Sequence, residues 1–183
     1  MKKIKKIVVI GPESTGKSTL CEKLATHYHS LWVPEYAREY LEKNGAEYNY
    51  EDLLTIAKGQ IGLEEKMSME QSTFDHLQPM LFIDTDLYVM KVWSEYVFNR
   101  CNNWILNKIA ERKYDLYLVC NTDLPWVEDS LREYPDEKIR EKIFHFYKDL
   151  MVNQSTPWCI ISGNYDERFE KAVKFIDNSF AEN

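Results

Sequence analysis

The feature that most constrains the fold of this chain is a glycine-containing loop close to its first residues. The loop meets the GxxxxGK[ST] pattern and reads Gly11-Pro12-Glu13-Ser14-Thr15-Gly16-Lys17-Ser18. A short apolar run from Lys6 to Ile10 precedes it and predicts a strand, and the residues from Thr19 onwards predict a helix. A strand, a loop of this pattern and a helix in this order form a P-loop, so we expect an α/β fold.

The residue types of this loop suit the binding of a triphosphate. Gly11 and Gly16 permit backbone conformations that place successive N–H groups around a phosphate, and the helix N-terminus adds partial positive charge. Lys17 would reach the β- and γ-phosphates, and the Ser18 hydroxyl would be a ligand of Mg²⁺. We therefore predict ATP and Mg²⁺ as cofactors. The other residues of this segment that we predict to contact ATP are Glu13, Ser14, Thr15 and Thr19.

Four more short apolar or β-branched runs alternate with helical patterns along the rest of the chain. They predict strands over Leu31 to Pro34, Met80 to Asp84, Leu116 to Asn121 and Trp158 to Ser162. Strands that alternate with helices in this way form a parallel sheet with crossover helices. The fold class that we predict is α/β, the three-layer P-loop NTPase fold, with a five-stranded parallel sheet flanked by helices.

Three of the helices are predicted by the spacing of their apolar residues. Apolar positions recur at helical spacing from Ile139 to Leu150 and from Phe169 to Phe180. The segment from Asp52 to Met67 has the same pattern, although Gly59 and Gly62 weaken it. We find no repeat, low-complexity tract or linker between these elements. A chain of 183 residues without a divider predicts one domain over 1–183.

The charge and the cysteines of the chain limit its partners. The net charge of −7 argues against binding to a nucleic-acid backbone, because such a surface needs a surplus of Lys and Arg. The one basic run, at Lys2, Lys3, Lys5 and Lys6, is interpreted as a solvated end. The four cysteines have no metal-ligand spacing, and no apolar run approaches the roughly 18 residues of a membrane span. We predict a cytoplasmic protein with a small-molecule substrate and no nucleic-acid or membrane partner; its oligomeric state is not indicated.

Two carboxylates lie at the end of the third predicted strand, in Phe82-Ile83-Asp84-Thr85-Asp86. Ligands of parallel α/β sheets bind beyond the carboxyl ends of the strands. Asp84 has the position of a Walker-B carboxylate there, and we predict that it organises Mg²⁺ directly or through water. Asp86 either holds a substrate hydroxyl or only caps the helix that begins at Leu87.

The second predicted strand ends in a carboxylate, a cation and two aromatic side chains. These residue types suit a site for a ribose and a flat ring, so we predict that Glu35, Tyr36 and Arg38 contact the substrate. Glu35 could accept the proton of an attacking hydroxyl, and Arg38 could steady phosphate charge. The same segment could instead begin a helix with a Glu in its first turn. For Tyr40, core packing is the preferred role.

The residues after the fourth predicted strand predict a mobile lid at about 122–135. This segment is polar, contains a proline and Trp126, and precedes a long helical pattern that follows Asp136. An arginine that closes over phosphates neutralises transition-state charge and expels water, so Arg132 is the candidate lid cation, with Arg140 in support. Trp126 either stacks on a base of the substrate or anchors the loop in the core.

The fifth predicted strand leads into a short loop, Ser162-Gly163-Asn164-Tyr165-Asp166-Glu167-Arg168. A loop at this place can lie against the base of a nucleotide, with contacts from its backbone and from Tyr165. It is equally a turn that contains a glycine and the N-cap of a helix. On the first interpretation, Tyr165 belongs to the predicted ATP contacts.

The chain resembles the ribosylnicotinamide kinase domain of the NadR family, in five segments that occur in the same order over nearly its whole length: GPESTGKST, PEYAREY, FIDTD, NTDLPWVEDSLR and GNYDERF. The resemblance implies a nucleotide-kinase core of five parallel strands. It also implies ATP-dependent phosphorylation of the 5′-hydroxyl of nicotinamide riboside, which gives nicotinamide mononucleotide. NadR proteins also possess an adenylyltransferase domain and often a DNA-binding module, and the P-loop begins here at Gly11, so we expect neither in this chain.

By position, the resemblance implies roles for several residues. It places Asp84 and Asp86 at the nucleoside and metal end, and the segment around Trp126 in a mobile lid with Arg132. It places the ATP site at Gly11, Gly16, Lys17 and Ser18. In the transfer that we expect, Lys17 and Arg132 absorb charge, and either Asp84 or Glu35 takes the hydroxyl proton.

Other functions are compatible with the same motifs. A kinase for another nucleoside or for a nucleoside monophosphate is the second enzyme, and further anion-binding arginines near Arg38 would support the monophosphate. A nucleotide-sensing module that binds ATP without transfer is the alternative that is not an enzyme. A GTPase is disfavoured because Asn107-Lys108 continues as Ile109-Ala110 and does not complete an NKxD guanine-binding motif.

Overall fold

A computed structural model describes residues 3–73 and 79–181, and Lys2 of the basic run lies outside them. All five predicted strands are present, and they form one parallel sheet in the order β2-β3-β1-β4-β5. Their bounds are Lys5–Ile10 for β1, Leu31–Val33 for β2, Met80–Asp84 for β3, Leu116–Cys120 for β4 and Trp158–Ile161 for β5. The predicted five-stranded parallel sheet is therefore confirmed.

In the described residues, six helices lie between successive strands and a seventh follows β5. They are α1 at Lys17–His27, α2 at Tyr36–Asn44, α3 at Tyr50–Gln71, α4 at Leu87–Phe98, α5 at Asn103–Glu111, α6 at Glu137–Val152 and α7 at Tyr165–Phe180. The three helices predicted from apolar spacing correspond to α3, α6 and α7. Within the part of the chain that the structure describes, no helix combines the length and apolar character that crossing a bilayer requires.

Both faces of the sheet are covered, which confirms the three-layer α/β fold. Side chains of α1 and α7, such as Leu24 and Ile176, pack on one face against Phe82 and other strand residues. Side chains of α4 and α6, such as Val92 and Ile143, pack on the opposite face. The strands β3 and β4 are buried along their whole length, because a parallel sheet of this kind is covered on both sides.

The long helix α3 explains one of the glycines that weaken its sequence pattern. It begins with a capping box, in which the Asn49 side chain accepts from the Asp52 backbone N–H and the Asp52 side chain accepts from that of Asn49. A Cβ atom at Gly59 would lie 2.0 Å from the ring of Tyr36, whereas a Cβ atom at Gly62 would have no neighbour within 4 Å. Gly59 therefore allows α2 and α3 to pack closely.

Candidate active site

The P-loop lies at the carboxyl end of β1, between the neighbouring strands β3 and β4. Gly11 has a φ of 149°, and a Cβ atom there would lie 2.6 Å from the carbonyl oxygen of Cys120. Gly16 has a φ of 75° and stands at the N-cap of α1. Both positions require glycine, because a side chain would clash or strain the backbone. The Lys17 ammonium group donates a 2.9 Å hydrogen bond to the carbonyl oxygen of Pro12.

A cavity of about 290 Å³ opens beside the P-loop. It brings together nearly all of the predicted ATP contacts with Glu35, Arg38 and Arg132. Away from the loop, its wall includes Tyr48 and Trp93, which the sequence did not indicate. The predicted site residues in the lining are Glu13, Ser14, Thr15, Gly16, Lys17, Ser18, Thr19, Glu35, Arg38, Arg132 and Tyr165. One continuous cavity thus joins a phosphate-binding loop to an aromatic wall.

Asp84 and Ser18 meet at the base of this site. The Ser18 hydroxyl donates a 2.5 Å hydrogen bond to Oδ2 of Asp84. Oδ1 of Asp84 is buried and has no hydrogen-bond partner among the described residues. Burial raises the pKa of Asp84 to about 7, with the negative charge of Glu35 adding to the effect and Lys17 opposing it. A buried carboxylate oxygen without a partner, beside a hydroxyl and a phosphate loop, fits Mg²⁺.

Glu35 and Arg38 lie at the start of α2 and line the cavity. Glu35 occupies the N-cap position of α2, but no side-chain hydrogen bond caps the helix. Arg38 donates a 2.9 Å hydrogen bond to the carboxylate of Asp129 in the segment predicted as a lid. The helix that was the alternative interpretation of this segment is present. Both side chains nevertheless line the cavity.

Three residues that were predicted to contact the substrate lie outside the cavity lining. The ring of Tyr36 packs on α3 at Gly59. Asp86 is buried and engaged within the protein: it accepts from the Tyr88 backbone N–H at 2.9 Å and from the Tyr117 hydroxyl at 2.7 Å. Asp86 is thus the N-cap of α4, and its predicted contact with a substrate hydroxyl stays a prediction.

Trp126 is the third of these residues, and it packs against arginine side chains instead. The guanidinium carbons of Arg132 and Arg140 lie 5.9 Å and 5.4 Å from the centre of its ring. Arg140 is buried, and its Nε and Nη1 atoms have no hydrogen-bond partner among the described residues. Trp126 therefore packs on two guanidinium groups, and that of Arg132 lines the cavity. Neither interpretation of the sequence included these contacts.

The segment 122–135 contains neither a helix nor a strand, and P-loop side chains hold it in place. The carboxylate of Glu13 accepts hydrogen bonds from the backbone N–H groups of Glu133 and Tyr134, at 2.9 Å and 3.1 Å. The hydroxyl of Ser14 accepts from the backbone N–H of Val127 at 2.9 Å. Burial raises the pKa of Glu13. The phosphate loop and the predicted lid are thus directly connected.

Two buried residues organise the site without lining it, and the sequence interpretation missed both. Gln60 of α3 accepts from the backbone N–H of Tyr36 at 2.7 Å and donates to the carbonyl oxygen of Thr85 at 3.2 Å. Arg168 of α7 donates to the carbonyl oxygens of Thr15 and Asn121, each at 3.0 Å. A polar residue among the apolar positions of a helix was the available signal, because buried polar groups need hydrogen-bond partners.

Comparison with known proteins agrees with this architecture. The chain is 24% identical over 184 residues to the trifunctional NAD biosynthesis/regulator protein NadR of Escherichia coli (strain K12). It is 23% identical over 187 residues to NadR of Salmonella typhimurium. Each match covers 98% of this chain but 43% of the relative, so the chain spans less than half the length of these proteins. The resemblance to NadR is confirmed.

Solved structures show the same fold. A crystal structure of NadR protein in complex with NR has a TM-score of 0.80 at 23% identity, and one with NAD and AMP-PNP has a TM-score of 0.73 at 22%. Each covers 98% of this chain and 50% of the other chain. Thymidylate kinase from Candida albicans has a TM-score of 0.63 at 15% identity and covers 96% and 92% of the two chains.

A family model described as AAA domain matches residues 6–168 of the chain. The match begins in β1, includes the P-loop, and ends in the first turn of α7 at Arg168. Apart from Lys5 of β1, it therefore contains all five strands, and it contains the whole lining of the cavity. Because the match extends over most of the chain, the chain belongs to the family of P-loop proteins with this AAA domain.

Proposed function

We propose that this chain is a kinase that transfers the γ-phosphoryl group of ATP to the 5′-hydroxyl of nicotinamide riboside. The observation that carries the proposal is the cavity, which joins the P-loop to the aromatic pair Tyr48 and Trp93, with Glu35 also in its lining. The similarity to NadR, which has been solved with NR, supports the choice of this acceptor. The cytoplasm remains the compartment that we propose.

ATP would bind with its phosphates in the P-loop. Backbone N–H groups of the loop, the N-terminus of α1 and Lys17 would hold the β- and γ-phosphates. Tyr165 is exposed, lines the cavity and lies next to Gly16, where it can contact the adenine. Ser18 and Asp84 would hold Mg²⁺. Bound there, the ion would neutralise charge on the β- and γ-phosphate oxygens.

The acceptor would lie with its flat ring against Tyr48 and Trp93. The centres of these two rings are 6.2 Å apart, and their planes are tilted by 39°. The 5′-oxygen would form a bond to the γ-phosphorus while the bond from that atom to the bridging oxygen of ADP breaks. Glu35 would take the hydroxyl proton, because its side chain lines the cavity, whereas the carboxylate of Asp84 accepts a hydrogen bond from Ser18. Lys17 and Arg132 would absorb the charge that develops.

The experiment that tests the proposal is an assay of the purified chain with ATP, Mg²⁺ and a panel of acceptors. The panel contains nicotinamide riboside, the common nucleosides and thymidine monophosphate. Formation of nicotinamide mononucleotide and ADP in equal amounts is the expected result. Good turnover of another nucleoside, with none of nicotinamide riboside, would overturn the proposed acceptor. ATP binding without phosphorylation of any acceptor in the panel would favour a nucleotide sensor.

A nucleoside monophosphate kinase is the second candidate. Two observations favour it: Arg38 lines the cavity, and the fold is similar to that of a thymidylate kinase. Against it, Arg38 is already paired with Asp129 at 2.9 Å. Phosphorylation of thymidine monophosphate in the same panel, at a higher kcat/KM than any nucleoside, would establish this candidate instead.

A further inference from the structure

The aromatic wall of the cavity contains a carboxylate, that of Glu133. The Tyr48 hydroxyl donates a 3.2 Å hydrogen bond to Oε2 of Glu133, and Trp93 is the ring next to Tyr48. All three side chains line the cavity. Burial raises the pKa of Tyr48, and the neighbouring charge of Glu133 adds to this effect. Tyr48 therefore remains a neutral donor that holds Glu133 in place.

Within residues 3–73 and 79–181, the carboxylate of Glu133 forms no ion pair. Among the described residues, no Lys, Arg or His lies within 4.0 Å of its carboxylate. The cations of the cavity have other partners: Lys17 donates to Pro12, Arg38 to Asp129 and Arg132 to Val127. Partial desolvation raises the pKa of Glu133. A positive charge on a bound ligand would therefore stabilise this partly desolvated carboxylate.

The position of Glu133 is also tied to the phosphate loop. Its backbone N–H donates a 2.9 Å hydrogen bond to the carboxylate of Glu13, which is the third residue of the P-loop motif. The side chain of Glu133 reaches the aromatic wall, and its backbone is held by the loop that would bind ATP. A group placed in this way can contact the ring of an acceptor whose hydroxyl faces the γ-phosphate.

The side chains of Tyr48, Trp93 and Glu133 together favour a cationic ring. A carboxylate attracts a positive charge, and the faces of Tyr and Trp rings attract cations as well. The bases of the common nucleosides are neutral at pH 7, whereas the pyridinium ring of nicotinamide riboside carries a permanent positive charge. We infer that Glu133, positioned by Tyr48 and assisted by Trp93, is the specificity-determining residue that selects a nucleoside with a positively charged base. This inference rests on the proposed function.

A pair of acceptors that differ in charge tests the inference. Nicotinamide riboside and its reduced 1,4-dihydro form have the same ribose and carboxamide, but the reduced ring is neutral. We divide kcat/KM for the cationic riboside by kcat/KM for the neutral one, and we expect Glu133→Gln to lower this ratio by about tenfold, mainly through a higher KM for the cationic riboside. Tenfold is the size of the effect of one opposite charge in a partly solvated site. Glu128→Gln is the matched control, since it removes the same charge from an exposed residue of the same segment outside the cavity lining.

A second variant keeps the test independent of the first. Tyr48→Phe retains the ring but removes the hydrogen bond to Glu133, so we expect a smaller fall of the same ratio. Circular dichroism and Tm establish that each variant is folded. A ratio that is unchanged in Glu133→Gln and in Tyr48→Phe, while nicotinamide riboside is still phosphorylated, would overturn this inference and leave the proposed function intact. If the wild-type chain phosphorylates neither riboside, this result contradicts the proposed function and therefore also the inference.

Discussion

The hydroxyl of Ser18 donates a 2.5 Å hydrogen bond to the carboxylate of Asp84, which joins the last residue of the P-loop to the last residue of β3. The two residues are 66 positions apart in the chain and meet because β1 and β3 are neighbours in the sheet. The second oxygen of Asp84 has no partner among the described residues. The pair is therefore the place where we propose that a divalent cation binds.

Lys17 is expected to provide the largest single contribution to charge stabilisation. Lys17→Ala should lower turnover by at least about 10²-fold, the scale of one major charge-stabilising group. The fold should persist, because the ammonium group makes one hydrogen bond, to the Pro12 carbonyl. Steady-state kinetics and a thermal melt measure the two effects. Lys23→Ala is a control on the same helix, since Lys23 pairs with the exposed Asp166; near-normal turnover of Lys17→Ala would contradict the assigned role.

Removing the charge of Asp84 and removing the charge of Glu35 are expected to impair the reaction in different ways. Asp84→Asn should lower turnover and also raise the Mg²⁺ concentration that gives half-maximal activity. Glu35→Gln should lower turnover by about 10²- to 10⁴-fold without changing the Mg²⁺ dependence, because a base acts only on the proton. Turnover measured against Mg²⁺ concentration for both variants separates the roles. An unchanged turnover in Glu35→Gln would assign the base elsewhere.

Glu13 is expected to hold the segment 122–135 against the P-loop. Glu13→Ala removes the acceptor of two backbone N–H groups, so limited proteolysis should cut this segment faster, and KM for ATP should rise. Mass spectrometry of the fragments locates the cleavage. Glu22→Ala, an exposed change on α1, serves as the control. Equal cleavage rates in the two variants would show that Glu13 does not restrain the segment.

Two buried glutamines of α3 provide a matched pair. Gln60 accepts from the Tyr36 backbone N–H beside the site, and Gln71 accepts from the Leu31 backbone N–H at the other end of β2. Gln60→Leu should lower the free energy of unfolding by about 1–3 kcal/mol, the cost of an unsatisfied buried donor. Gln71→Leu should lower it by less, because Nε2 of Gln71 has no hydrogen-bond partner among the described residues and the substitution removes this group. Only Gln60→Leu should also lower kcat, because Gln60 positions the segment that carries Glu35. Equal activity of the two variants would exclude this positioning role.

The two glycines of α3 should respond to alanine in opposite directions. Gly62→Ala places a methyl group in open space and should raise the free energy of unfolding by about 0.5–1 kcal/mol through helix propensity. Gly59→Ala places it 2.0 Å from the Tyr36 ring, so strain should outweigh that gain by about 1–3 kcal/mol. Urea unfolding measures both values. A stabilised Gly59→Ala variant would show that α2 can move away without cost.

Some features of this protein could be predicted because they depend on adjacent residues. The P-loop requires a strand, a glycine-containing loop and a helix in direct succession, so the order of residues around Gly11 to Ser18 was sufficient to predict it. The five strands followed from short apolar runs, because strands buried on both faces of a parallel sheet need apolar residues throughout. Asp84 could be predicted to lie beside the P-loop because it ends one of these runs.

Other features depend on contacts between distant parts of the chain. The sheet order β2-β3-β1-β4-β5 brings Asp84 to Ser18, and no local pattern specifies that order. Side chains at strand ends can turn toward the cavity or away from it, and their packing partners decide: Tyr36 turns to Gly59, and Asp86 turns to Tyr117. The sequence by itself determined the sheet type and the phosphate loop, since both are encoded in contiguous residues. Only the tertiary structure decided which side chains complete the cavity, because a buried side chain points to whatever partner satisfies its volume and hydrogen bonds.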